Sequence, residues 1–195
     1  MLEFKDATIA VGGKTLVSDL SFIVRDGEMI CITGAEHSGK TTLLRTLMGF
    51  LPVEKGYVSI DGELLTVLSA PAFRSMMIYL PQEMQLLAHQ YREPKAPVCE
   101  ADDYGVWNTL LPMVEPEPVA EFLTPEEIYF FAEQTIREAG DKPILIADEP
   151  AAYLTPELTQ RMMMLLQKQT ARGKTVLIAS RKPQLLAQAH QVISL

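Results

Sequence analysis

Apolar and polar positions along the chain alternate between two periods. Leu2 to Val11 carries a strand pattern and is broken by Gly12-Gly13. Leu20 to Val24 is a second strand, and Arg25-Asp26-Gly27 turns the chain into Met29-Ile30-Cys31-Ile32-Thr33. From Lys40 the spacing changes: Leu43, Leu44, Leu47 and Met48 fall on one helical face, predicting a helix over 40–51 that stops before Pro52. Tyr57 to Ile60 and Met76 to Leu80 are short strands, the first closed by Asp61-Gly62 and the second by Pro81. Beyond residue 123, helices and strands alternate. Thr124-Pro125-Glu126-Glu127 opens a helix to Ala139, and Ile144 to Ala147 is a strand. Thr155-Pro156-Glu157 opens a helix through Gln169, and Thr175 to Ala179 is a strand. Pro183 to Ala189 is a short helix, and Val192 to Leu195 a last strand. That alternation predicts an α/β fold with parallel βαβ units.

Between these halves, residues 83–123 resist assignment. Pro94, Pro97, Pro112, Pro116 and Pro118 interrupt any helix. Charge isolates the same region. The formal net charge is −8, but residues 92–141 hold 12 acidic and 3 basic residues, leaving +1 for the remainder. Such a face repels phosphate backbones, so nucleic acid is not an expected partner. The 195 residues suffice for one domain. No apolar run approaches the roughly 20 residues that span a bilayer. The first residues lack the basic and apolar regions of a secretory signal. With Cys31 and Cys99 far apart, a disulfide framework is not expected and a cytoplasmic chain is.

Candidate chemistry begins at Gly34-Ala35-Glu36-His37-Ser38-Gly39-Lys40-Thr41, which fits G-x-x-x-x-G-K-[ST] between an apolar strand and a helix. Successive backbone N–H groups of such a loop cradle phosphate oxygens, helped by the helix N-terminus. Lys40 reaches the β- and γ-phosphates, and the Thr41 hydroxyl ligates Mg²⁺. Residues 34–42, through Thr42, are therefore the expected ATP-binding segment. An imidazole at position 37 is strained if that position needs positive φ. The second element is Ile144-Leu145-Ile146-Ala147-Asp148-Glu149-Pro150. An apolar strand ending in two acids is also an ordinary strand exit, but downstream of a phosphate loop it has a specific use. Asp148 holds the Mg²⁺ shell, and Glu149 accepts a proton from attacking water.

These residues resemble the nucleotide-binding domain of ATP-binding cassette (ABC) ATPases. The resemblance runs over residues 2–82 and 135–195 and includes Ser21-Phe22, Gly27-Glu28, Leu80-Pro81-Gln82 and Asp148-Glu149-Pro150. It implies a P-loop fold with a mixed sheet and flanking helices, and a single domain over 1–195. In that domain the acidic segment 83–123 takes the place of a reduced or atypical helical subdomain. It implies that Gln82 acts near Mg²⁺, as a catalytic residue and metal ligand beside Lys40 and Glu149. It also implies a transmembrane partner, and a homodimer or a heterodimer with another ABC subunit; by its charge and position, 92–119 is the expected docking surface for the partner's basic cytoplasmic loops.

Several family positions are altered. Val11 stands where an adenine-stacking aromatic is expected. Leu123-Thr124-Pro125-Glu126-Glu127 replaces the signature Leu-Ser-Gly-Gly-Gln and caps a helix instead: Thr124 at the N-cap, Pro125 at the first position, Glu127 closing a capping box. Thr155 replaces the D-loop aspartate, and Arg181 the switch histidine. Binding groups within one subunit are thus mostly kept, and groups that complete a site across a dimer are mostly changed. Two functions follow: an ATP-binding transport subunit that hydrolyses slowly or with a partner, and a pseudo-ATPase module that binds nucleotide without useful turnover. The remaining histidines, His89 and His190, read as surface or structural residues, and Met162-Met163-Met164 as helical core filler.

Overall fold

A computed structural model of the chain describes residues 1–84 and 123–195. Nine strands and five helices are built from these residues. β1 (Leu2–Val11), β2 (Lys14–Val24), β4 (Lys55–Ile60) and β5 (Glu63–Leu64) form an antiparallel sheet in the order β2-β1-β4-β5. β3 (Met29–Thr33), β6 (Met77–Leu80), β7 (Ile144–Asp148), β8 (Thr175–Ala179) and β9 (Gln191–Ser194) form a parallel sheet in the order β6-β7-β8-β3-β9. The helices are α1 (Lys40–Leu47), α2 (Ala70–Ser75), α3 (Pro125–Glu138), α4 (Pro156–Ala171) and α5 (Pro183–Leu186). The expected acidic segment and its docking surface at 92–119 lie outside the described residues, as does His89.

The parallel strands read as unbroken apolar runs because both faces are covered. Alternate residues serve two cores. Ile30 and Ile32, Ile144 and Ile146, and Leu177 and Ala179 join Leu43, Leu44, Leu47 and the antiparallel sheet. Cys31, Leu145 and Ala147, and Val176 and Ile178 face the other way, onto Ile128, Tyr129, Ala132 and Ile136 of α3 and Leu158, Met162 and Leu166 of α4. Burial pushes the Cys31 thiol up to about 11, so it packs as a small hydrophobe.

Several boundaries differ from the sequence expectation. The helix expected over 40–51 ends at Leu47, because Gly49 adopts φ 71 and Met48 caps the last turn. β2 begins at Lys14 rather than Leu20, since the Gly12-Gly13 turn is tight enough to pair Val11 with Lys14. Of the three consecutive methionines, Met162 is buried, Met163 packs partly and Met164 is 53% exposed, as a rotation of about 100° per residue requires. The Thr124–Glu127 capping box forms, with the Thr124 hydroxyl accepting from Glu127 N and the Glu127 carboxylate accepting from Thr124 N. Thr155 likewise caps α4 by accepting from Leu158 N. His190 is structural: its Nδ1 accepts a hydrogen bond of 3.0 Å from Met29 N.

Candidate functional site

Strand order places the site. β6, β7, β8 and β3 are four consecutive parallel strands, so their C-terminal ends open onto one edge of the sheet, where open α/β sheets hold ligands. β3 delivers the phosphate loop, β7 Asp148 and Glu149, β8 Ser180 and Arg181, and β6 Gln82. A cavity of about 480 Å³ lies there, lined by residues 36–42 together with Leu16, Gln82, Asp148, Glu149 and Arg181.

The loop is shaped by two glycines and one strained residue. A Cβ at Gly34 would stand 2.5 Å from Ser38 Oγ and 2.8 Å from the Leu195 carbonyl, so the loop closes only over a bare Cα. Gly39 caps α1 at φ 102, and His37 sits at φ 63, in the left-handed region that the sequence reading linked to strain. Lys40 is buried, and its Nζ donates to the carbonyls of Gly34 (3.1 Å) and Ala35 (2.9 Å). Gly34 and Ala35 therefore hold the lysine from behind, and neither lines the cavity. Thr41 and Thr42 open α1 on the cavity side.

Across the cavity Asp148 is 1% exposed. Burial raises its carboxyl above the ordinary value; the hydrogen bond from the Thr41 hydroxyl and the charges of Lys40 and Arg45 oppose this, while Glu149 adds to it. Its Oδ1 is buried without a partner. A buried carboxylate oxygen left unpaired is costly unless a cation completes it. An oxygen-seeking Mg²⁺ fits that oxygen and the Thr41 hydroxyl, since this ion commonly binds through one or two carboxylates plus substrate phosphates. Among the described residues no cluster of three His, Cys, Asp or Glu offers an alternative metal site. Gln82 borders the same space and also a neighbouring cavity of about 520 Å³ shared with Thr41 and Asp148.

Glu149 is held in a second unusual backbone state, φ 44, by its N–H donating to Ala179 O at 2.8 Å. Its carboxylate accepts from Ser180 Oγ at 3.3 Å and pairs with Arg181 Nε at 3.7 Å. The structure thus assembles Lys40, Thr41, Gln82, Asp148 and Glu149 in one place. Leu16 was missed by the sequence reading. The signal was two consecutive apolar residues, Leu16 and Val17, in a strand where alternation sends only one inward. Val17 enters the core, and Leu16 packs beside Gly39 at the cavity. Val11 is 45% exposed at the end of β1 and does not line the cavity.

Comparison with known proteins follows the same lines. The family model for ABC transporter matches residues 17–139. The thiamine import ATP-binding protein ThiQ of Histophilus somni (strain 129Pt) is 34% identical over 152 residues, covering 73% of this chain and 70% of that protein. The type I secretion system ATP-binding protein PrsD of Rhizobium meliloti (strain 1021) is 26% identical over 196 residues, covering 92% of this chain but 33% of its own length. The chain therefore spans about a third of PrsD. A nucleotide-free ATP-binding cassette from an ABC transporter superposes with a TM-score of 0.71 at 17% identity, covering 99% of this chain and 87% of that one. A dimeric cassette in a post-hydrolysis state bound to ADP and Pi gives 0.67 at 18% identity, covering 100% and 94%. At these identities the structural likenesses carry the fold: an α/β P-loop cassette. Phosphate loop, acidic strand end, fold and family model agree, and the chain belongs to the ABC transporter family.

Proposed function

We propose that this chain is the ATP-binding subunit of an ABC-type transport system, binding MgATP and hydrolysing it slowly or only with a partner. The observation that carries the reading is the unpaired, buried Oδ1 of Asp148 beside the Thr41 hydroxyl, in one cavity with Lys40 and Glu149. Residues 36–42 border the phosphates, and the Gly34 and Ala35 carbonyls steady Lys40 until a phosphate takes the ammonium over. Mg²⁺, when bound, neutralises phosphate charge; Thr41, Asp148 and Gln82 are the residues that would hold it. Glu149 is aimed into the site by its strained backbone and serves as the base for water.

Among the described residues no helix is long and apolar enough to cross a membrane. In the proposed transport role the chain works with a membrane-embedded partner that holds the pathway. The catalytic unit is a dimer, with itself or with another ABC subunit. ThiQ and PrsD, both ATP-binding proteins of import and secretion systems by name, support the transport reading.

A second reading, a pseudo-ATPase that binds nucleotide without useful turnover, is favoured by two observations. Arg181 already occupies the Glu149 carboxylate, and Pro125 spends the would-be signature on capping α3. The test is MgATP binding and steady-state hydrolysis of the purified chain beside Lys40→Ala and Glu149→Gln. Saturable binding, with hydrolysis present in the unaltered chain and lost in both variants, supports the ATPase. Binding with no turnover in the unaltered chain selects the second reading. Absence of binding overturns both.

A further inference from the structure

β1 and β2 do not keep one register along their length. Ile9 pairs with Val17, but the next residue, Ala10, pairs with Thr15. Two residues of β1 therefore stand opposite three of β2, and Leu16 is the extra one, the centre of a β-bulge. A bulge bends its strand and re-aims a side chain, and bulges are over-represented next to active sites. Val17 enters the core, while Leu16 is half-buried and lines the cavity. The leucine is held there from two sides. It packs against the core cluster that contains Val17. It also lies across Gly39, the residue before α1: a Cβ at position 39 would stand 3.3 Å from Leu16 Cβ and 3.9 Å from Leu16 Cδ1. The bare Cα at 39 lets the leucine settle on the start of the helix.

The rest of the cavity is polar. Among the described residues that line it, Leu16 is the one apolar side chain. Lys40, Thr41, Gln82, Asp148 and Glu149 serve phosphate, metal and water in the reading above, and Arg181 pairs with Glu149. A bare polyphosphate has no use for an apolar group at this place. A nucleotide has one: with its phosphates in the loop, it brings a base and a sugar whose ring faces gain by leaving water. Every base has such a face, whatever donors and acceptors stand on its edge. A leucine side chain carries no donor or acceptor, so it cannot read that edge.

We propose that Leu16 is the nucleoside contact of this site: it favours nucleotides over bare polyphosphate by covering a ring face, and it contributes equally whichever base is attached. This rests on the nucleotide-binding reading above and adds the ligand class, a nucleoside triphosphate with no choice between adenine and guanine at this contact. The bulge is the device that serves it, since it turns one side chain of a strand that otherwise faces the core or solvent toward the ligand.

The experiment is titration calorimetry of the full chain with the magnesium complexes of AMP-PNP, GMP-PNP and tripolyphosphate, beside Leu16→Ala, Leu16→Thr and Leu16→Met. Alanine and threonine both remove the apolar reach, and threonine keeps strand propensity, so either variant carries the test. Methionine keeps size and apolar character. Leu16→Ala and Leu16→Thr are expected to weaken both nucleotide analogues by the same factor, about fourfold, the worth of roughly one buried methylene group. Tripolyphosphate affinity is expected to stay unchanged, and Leu16→Met to restore both nucleotides. If all three ligands weaken together, Leu16 only props the phosphate loop, and the proposal is overturned while nucleotide binding stands. Unchanged affinity for both nucleotides, a loss confined to one base, or tripolyphosphate bound as tightly as the nucleotides by the unaltered chain overturns it equally. Failure of the unaltered chain to bind any of the three overturns the nucleotide-binding reading and the proposal with it.

Discussion

Replacing Asp148 by asparagine is expected to stabilise the nucleotide-free chain and to remove its response to magnesium. The carboxylate is 1% exposed, with Oδ1 lacking a partner. Burial is the main cause of its raised pKa, and the opposing help from Thr41, Lys40 and Arg45 does not outweigh it. A folded-state pKa above the unfolded one means that the folded chain holds the proton more tightly. Stability is therefore greatest below the unfolded value and falls as pH rises through the folded one. Asparagine keeps the shape and an acceptor for Thr41 but carries no charge. It leaves a buried amide N–H in place of the unpaired oxygen, costing about 1–3 kcal/mol, against the roughly 3–5 kcal/mol of an uncompensated buried charge. The balance is a gain of about 1–2 kcal/mol near pH 7.5. For a domain of this size that is a rise in Tm of ~2–8 °C. Thermal unfolding without nucleotide, at pH 7.5 and again at pH 5, measures it. The advantage of the variant is expected to shrink on acidification, as the carboxyl of the unaltered chain regains its proton. With MgADP at a hundred times Kd, the unaltered chain gains about 2.7 kcal/mol, and the variant loses the magnesium-dependent part of that gain. A variant less stable at pH 7.5, or an advantage that grows on acidification, refutes the reasoning.

Other outcomes follow from single contacts. Gly56→Ala puts a Cβ onto the carbonyl oxygens of Lys5 and Asp6 at a residue with φ 72. It is expected to cost roughly 2–4 kcal/mol in urea unfolding by forcing β4 away from β1. Thr124→Ala removes the α3 capping box and is expected to cost about 1 kcal/mol by the same assay. Val11→Tyr restores an aromatic ring at the exposed end of β1, the position where the family resemblance expects an adenine-stacking residue. Stacking is worth about 1–3 kcal/mol per base, so adenine nucleotides are expected to bind roughly tenfold tighter while inorganic triphosphate is unaffected. Equal gains for both ligands would show that the tyrosine acts on the phosphate loop and not on the base.

The residues by themselves determined the groups whose recognition depends on local pattern. The phosphate loop is contiguous, so its glycines, Lys40 and Thr41 were legible from spacing. Asp148 and Glu149 were legible because parallel strands covered on both faces must be continuous apolar runs, and an acid pair at the end of one stands out. The caps at Thr124 and Thr155 depend on side chains reaching three residues along, and both formed as read. Tertiary structure decided whatever depends on which strand lies beside which. The order β6-β7-β8-β3-β9 sets Gln82, Asp148, Arg181 and the phosphate loop around one cavity, although more than a hundred residues separate some of them. The division of nine strands into an antiparallel and a parallel sheet was not visible, because strand pairing is long-range and the N-terminal strands share similar composition. Nor was the Arg181 contact with Glu149, or the turn of Leu16 toward the cavity, since each needs two chain segments brought together in space. A sequence names the groups a site will use from short-range spacing; only the packed sheet fixes their distances, their burial, and hence the charge on Asp148 that a cation is left to balance.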